Sequence, residues 1–233
     1  MSNTQVFLIH LVELIAAVAG TIYLNKNRED LPSRYFVWFL WFTVVIEKIG
    51  LVRRFVLKSE YLDFLKDTII GESNYWIYNP YLIISVFFYV RYLMWNIRSK
   101  KIRSILNFLS YLYVFSSIVN FISYSEKFFN SHSAYGFIVG STLILLSIIL
   151  YFYEVLQDDI ILEFKKSLPF YVTAGVLVFY LTVTPFFIHS KYYSTPNPGF
   201  IKIYTFIITI ANIIMYTCYT IGFVVCLRKN RSY

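Results

Sequence analysis

Residues Thr43–Arg54 read TVVIEKIGLVRR, and this stretch decides the fold. It continues an apolar run, Tyr35 to Ile46, that is too short to cross a bilayer alone. A helical span needs about 20 residues. Extending the run to that length puts Glu47 and Lys48 inside the membrane. On the most lenient scale a charge at that depth costs about 2.5 kcal/mol or more, so it must face protein, water or another charge. The stretch therefore demands a helical bundle with a polar interior.

The composition agrees. The chain has 233 residues, 58% of them hydrophobic, 21% aromatic and only 15% charged, with a mean hydropathy of +0.59. A soluble domain cannot hide that much apolar surface, which leaves an integral membrane protein. The net charge of +8 does not point to nucleic acid. The basic residues sit in short runs between apolar segments, as lipid head groups and membrane topology require. Cys218 and Cys226 stand eight apart on one helix, about 12 Å along its axis. That is too far for a mutual disulfide, and they read as small apolar fillers.

Seven spans follow, at approximately 5–24, 35–56, 79–97, 102–123, 134–156, 168–188 and 200–227. The first is not a signal peptide, because no positive charge precedes it and His10 and Glu13 interrupt it. Residues 60–70 (EYLDFLKDTII) put Tyr61, Leu62, Leu65 and Ile69 on one face, which predicts a short amphipathic helix lying on the outer surface. Asn79-Pro80 opens the third span, and Pro169 suits the first turn of the sixth. Ala16/Gly20 and Gly136/Gly140 are small-residue pairs for close helix contact.

Charge sets the orientation. With the N-terminus outside, the inner loops and tail hold twelve of the 21 basic residues: Lys26, Arg28, Arg34, Arg98, Lys100, Lys101, Arg103, Lys165, Lys166, Arg228, Lys229 and Arg231. The outer side holds seven: Arg53, Arg54, Lys58, Lys66, Lys127, Lys191 and Lys202. The dense clusters fall inside, as the positive-inside rule expects. The fold class is thus an all-α seven-transmembrane helix bundle, N-terminus out and C-terminus in, in one domain.

Polar residues recur at helical spacing along most of the spans. The sets are His10, Glu13, Ala17 and Gly20; Thr43, Glu47, Gly50 and Arg54; Ser85 and Tyr89; Ser110, Tyr113, Ser117 and Asn120; Thr173, Tyr180 and Thr184; and Thr205, Thr209, Asn212, Tyr216 and Tyr219. Steps of three, four or seven place each set on one helix face. Lipid offers such groups no partner, so several one-sided helices imply a shared polar interior. Glu13 and Glu47 both fall roughly 12–14 Å below the outer surface, at 1.5 Å per residue. Antiparallel neighbours bring them level. The expectation is a charged cluster of Glu13, Glu47 and either His10 or Lys48, in which the two carboxylates share a proton or a neighbouring cation holds both ionised. Against this stands plain helix pairing, with Lys48 snorkelling outward. Arg91 is expected to snorkel or to pair with Glu154.

No phosphate-binding loop, Gly-x-Gly-x-x-Gly or Gly-x-Ser-x-Gly occurs. His10, His132 and His189 lack the short spacing of a zinc site. Neither an enzyme, nor a metal, nor a cofactor is expected. The topology resembles that of microbial rhodopsins, but the mid-helix lysine they carry in the seventh span is missing: Lys202 lies at the outer end and Asn212 nearer the centre. The layout also resembles PQ-loop sugar transporters, without the Pro-Gln pair. In topology and in its Ile/Phe/Tyr/Lys/Asn-rich composition the chain resembles small seven-span membrane proteins of bacteria, a resemblance that carries no residue role.

The leading expectation is a cell-membrane sensor. A small ligand or ion would bind among His10, Glu13, Glu47, Lys48, Asn120, Tyr180, Asn212 and Tyr216. A cytoplasmic partner, or a second copy, would meet Arg98, Lys100, Lys101, Arg103, Arg228 and Lys229. A proton-coupled permease using Glu13 and Glu47 is the alternative, although the inner halves of the first two spans are apolar. A structural or assembly subunit is the third reading.

Overall fold

The computed structural model describes residues 1–27, 29–157, 167–190 and 198–229. Arg28, Lys165, Lys166, Lys191 and Arg231 lie outside the described residues, as do the side chains of Lys127, His189 and Lys229. Among the described residues the chain is helical and contains no strand. The long helices are α1 (Asn3–Lys26), α2 (Leu31–Lys58), α4 (Tyr75–Trp95), α5 (Lys100–Ser123), α7 (Ala134–Leu156), α8 (Leu168–Ser190) and α9 (Pro198–Lys229). Two short helices, α3 (Ile69–Glu72) and α6 (Ser125–Asn130), sit at the end of the bundle where α1 begins. That end is here the N-face, and the opposite end the C-face.

Side-chain caps mark where the helices begin. Ser2 and Gln5 form a reciprocal capping box on α1, with Gln5 N donating to Ser2 Oγ at 3.2 Å and Ser2 N donating to Gln5 Oε1 at 2.8 Å. Asp30 caps α2 through Ser33 N, Ser99 caps α5 through Ile102 N, and Ser133 caps α7 through Gly136 N. Each cap takes up one of the amide groups that a helix start leaves unpaired.

The long helices form a closed ring, α1–α2–α4–α7–α8–α9, with α9 returning to α1. Helix α5 stands outside the ring, in the groove between α4 and α7. Small residues draw the ring tight. A methyl group at Gly20 would come within 2.6 Å of Val37 on α2 and 2.9 Å of Phe223 on α9. One at Gly140 would come within 2.6 Å of Val86 on α4. The polar faces turn inward: Glu13, Thr43, Ser85, Ser110, Ser117, Thr173 and Thr209 are all buried.

Six of the seven long helices are long and apolar enough to cross a membrane, so the chain is a multi-pass membrane protein whose outer helix faces contact lipid. The exception is α4. Tyr75, Tyr78, Tyr81, Tyr89 and Tyr92, with Asn79 and Arg91, lower its hydropathy. It tolerates them because it lies between α2, α5 and α7, where protein rather than lipid surrounds it.

Three expectations change. Residues 60–70 do not form one amphipathic helix. Glu60–Leu65 is a 3-10 turn with non-helical dihedrals at Leu62, followed by the separate α3. Thr68 Oγ1 donates to Leu65 O at 2.7 Å, a local bond that competes with helix continuation. Second, Asn79-Pro80 does not open α4, which starts one turn earlier at Tyr75. Third, Arg91 does not pair with Glu154. It donates to the Tyr111 hydroxyl at 2.6 Å and lies over the Phe87 and Tyr111 rings. The Glu154 carboxylate instead accepts from the backbone N–H groups of Arg98 and Ser99, 2.8 Å from the latter, at the start of α5.

Candidate functional site

The α2 face that carries Thr43, Glu47 and Gly50 looks across at α4. Tyr78 OH donates to Glu47 Oε2 at 3.0 Å, and Tyr81 OH lies 2.9 Å from Thr43 Oγ1. Gly50 makes the first contact possible, because any side chain there would overlap the Tyr78 hydroxyl. The Asn74 amide donates to Gly50 O at 2.9 Å and fixes the same crossing. Asn79, one residue from Tyr78, points the other way round α4. Its amide donates to Phe128 O and Ser131 O, and its oxygen accepts from Ser133 N at 3.0 Å. One buried side chain thereby holds the segment that joins α6 to α7.

Between these walls lies a chamber of about 430 Å³, in the half of the bundle nearer the N-face. Glu47 lines it from α2, Tyr78, Tyr81, Ser85 and Tyr89 from α4, and Phe137 from α7. Tyr180 and Phe187 line it from α8, and Thr205, Asn212 and Tyr216 from α9. Among the described residues that line it there is no lysine or arginine. A wider vestibule of about 660 Å³ adjoins it at the N-face and shares His132, Ser133, Phe187 and Tyr204 with it. The Tyr89 and Tyr219 hydroxyls meet at 3.0 Å in the buried interior. Phe36, Tyr92, Tyr219 and Phe223 pack beyond them as an aromatic floor, with the Phe36 ring centroid 5.0 Å from Tyr92 and 5.1 Å from Tyr219.

Glu13 is 1% exposed on α1 and lies behind this chamber. It is close enough to Glu47 for the two carboxylates to act on each other electrostatically. His10 Nδ1 is 3.6 Å from Glu13 Oε2. Among the described residues neither Glu13 Oε1 nor His10 Nδ1 has a hydrogen-bond partner. A carboxylate oxygen with no donor in a bundle interior lacks the partner that buried polar atoms nearly always have.

The structure places the eight sequence-derived residues as follows. Glu47, Tyr180, Asn212 and Tyr216 line the chamber. Glu13 stands behind Glu47, with His10 beside it. Lys48 is exposed and turns, with His10, to a groove on the outside of the α1–α2 pair. Asn120 lines the vestibule rather than the chamber. Arg98, Lys100, Lys101 and Arg103 are exposed around the α4–α5 turn at the C-face, and Arg228 is exposed on the last described turn of α9.

Sequence reasoning did not assign His132 to the site, and of the polar row on α4 it found only Ser85 and Tyr89. The row was visible in principle: Tyr78, Tyr81, Ser85, Tyr89 and Tyr92 follow steps of three and four. His132 is open to the vestibule but stacked edge-on against Tyr75, at 4.7 Å between centroids, and Phe187, at 5.8 Å. This enclosure lowers its pKa below the ordinary imidazole value and favours the neutral ring. A second, smaller cavity of about 270 Å³ opens at the C-face, lined in part by Tyr23, Asp30, Ser33, Tyr92 and Cys226. There Tyr23 OH and Ser33 Oγ donate to Asp30 Oδ2 at 2.9 and 2.6 Å, while the buried Tyr92 hydroxyl has no hydrogen-bond partner among the described residues. Comparison of the chain with protein-family models, curated proteins and solved structures finds no match.

Proposed function

We propose that the chain is a seven-span membrane sensor, N-terminus outside and C-terminus inside, that takes a small organic cation into the chamber. The chamber lining carries the reading: a carboxylate, Glu47, surrounded by tyrosine rings, with a second carboxylate behind it and no lysine or arginine in the wall. Carboxylates supply charge complementarity, and aromatic faces attract ammonium groups by about 0.5–2 kcal/mol each. Apolar Phe137 and Phe187, stacked at 4.1 Å, offer a surface for the non-charged part of such a ligand. On this reading α4 is the seventh crossing. Its 21 residues span about 31 Å at 1.5 Å each. The exposed basic groups at the C-face, Arg98 to Arg103 and Arg228, are the contact for a cytoplasmic partner.

The test is a thermal-shift panel on the detergent-purified protein, comparing primary and quaternary amines with neutral and anionic compounds of similar shape. Selective stabilisation by amines, lost in Glu47→Gln, is the expected result. Equal response to the neutral compounds would overturn the reading. Maleimide labelling of single cysteines at Glu60 and Lys101, in a background without Cys218 and Cys226, checks the orientation.

The smaller C-face cavity favours a second reading, a permease for the same class of cation. Tyr89 lines the chamber and Tyr92, one turn along α4, lines the C-face cavity. The aromatic floor lies between the two. Amine uptake into proteoliposomes, abolished by Glu47→Gln, would favour transport over sensing.

A further inference from the structure

We infer that the outside of the α1–α2 pair holds an anionic phospholipid from the leaflet at the N-face. The groove there has a volume of about 430 Å³. One wall is basic: Lys48, Arg54 and Lys58 lie along α2, and all three are exposed. The apolar lining comes from Phe7, Leu11 and Leu14 of α1, with Leu51 and Phe55 of α2 between the basic positions. No carboxylate lines the groove, and none of the three basic groups has an ion-pair partner among the described residues.

Cations at a lipid-facing surface without an ion pair are costly unless something anionic meets them, and among the described residues Lys48 has only the electrostatic pull of the neighbouring Glu47. The vertical arrangement identifies what does. Lys58 is the last residue of α2, and Lys48 lies ten residues deeper, about 15 Å along the axis. A free inorganic anion would be held at the interface by Arg54 and Lys58 and would leave the apolar wall bare. A phospholipid fills both parts, its phosphate among the basic groups and an acyl chain against Phe7, Leu11 and Leu14. Lys48 reaches the same phosphate by extending its alkyl chain toward the interface. Juxtamembrane basic residues attract anionic lipid in this way. His10 lines the groove and also faces Glu13, so the bound lipid lies one residue away from the carboxylate behind the chamber.

The experiment titrates dioleoylphosphatidylglycerol or dioleoylphosphatidylcholine into the full chain in neutral detergent, reading bound lipid by native mass spectrometry and the unfolding midpoint in parallel. The expected result is one phosphatidylglycerol retained at activation energies that strip phosphatidylcholine. The Lys48→Gln/Arg54→Gln/Lys58→Gln variant is expected to lose that molecule, with apparent affinity reduced at least fivefold and its lipid-free midpoint unchanged. Arg54→Gln alone is expected to show a smaller loss, which keeps the test decisive if the triple variant folds poorly. Lys100→Gln/Lys101→Gln/Arg103→Gln, at the opposite face, is expected to retain the lipid. Retention by the α2 variants, equal binding of the two lipids, or loss only in the opposite-face variant would overturn the proposal. So would stabilisation by inorganic phosphate equal to that by phosphatidylglycerol, since the site would then take a free anion.

Discussion

Tyr78 reaches Glu47 because residue 50 has no side chain: the phenol lies across the Gly50 backbone and donates to the carboxylate at 3.0 Å. Gly50→Ala forces the ring away. The substitution is expected to destabilise the bundle by about 1–3 kcal/mol, the usual range for overpacking. Tyr78→Phe removes the hydroxyl that meets the new methyl group first. The cost of Gly50→Ala should therefore be smaller in that background, and a double-mutant cycle of unfolding midpoints measures the coupling.

Asn79 ties three backbone groups, at Phe128, Ser131 and Ser133, to α4. In Asn79→Ala each of them loses this hydrogen bond, at about 1–3 kcal/mol for any that neither water nor another group replaces. Amide exchange at residue 133 should quicken while that of the α1–α2 core stays slow. Uniform quickening throughout would mean that Asn79 supports the whole bundle rather than this one segment.

The hydroxyls of Tyr89 and Tyr219 meet 3.0 Å apart in the core. Tyr89→Phe or Tyr219→Phe alone leaves one of them unpaired, an expected loss of about 1–3 kcal/mol. Replacing both leaves an apolar contact of the same shape, so the double variant should be more stable than the sum of the single losses predicts. Denaturation of the four proteins in one detergent checks this.

His132 gives a pH dependence whose sign is fixed. Its folded-state pKa lies below the ordinary imidazole value because the surrounding protein disfavours the charged ring. The unfolded chain then binds the extra proton first as pH falls. The contribution to stability is complete above about pH 6.5, the ordinary value, and is lost as pH falls through the folded-state pKa. His132→Gln should flatten the fall in unfolding midpoint over that window. A protonated His132 also places positive charge at the chamber, so amine binding should weaken over the same range.

The inward polar faces were legible because a helix in lipid must hide Glu13, Thr43, Ser117 and Thr209 somewhere, and period alone reveals the side they share. The tyrosine row of α4 was harder to see, because a tyrosine near a span end, such as Tyr78 beside Trp76, also reads as an interface anchor. Partners distant in sequence were not legible. That Glu154 would accept from the Arg98 and Ser99 amides, leaving Arg91 to Tyr111, depends on where α5 docks. No local pattern encodes that. The 60–70 segment shows the limit of periodicity itself, since spaced apolar residues fit a helix whether or not the backbone makes one.

Helix α5 touches the bundle only from outside, yet its Asn120 and the adjoining Tyr124 form one side of the vestibule. Rocking α5 on α4 and α7 would widen or narrow the doorway and leave every wall of the inner room standing. On the proposed reading, α5 then bears on admission alone, because it lines the vestibule and not the chamber. Changes to the exposed face of α5 should alter how fast a guest arrives and departs by the same factor, without altering how tightly it is held.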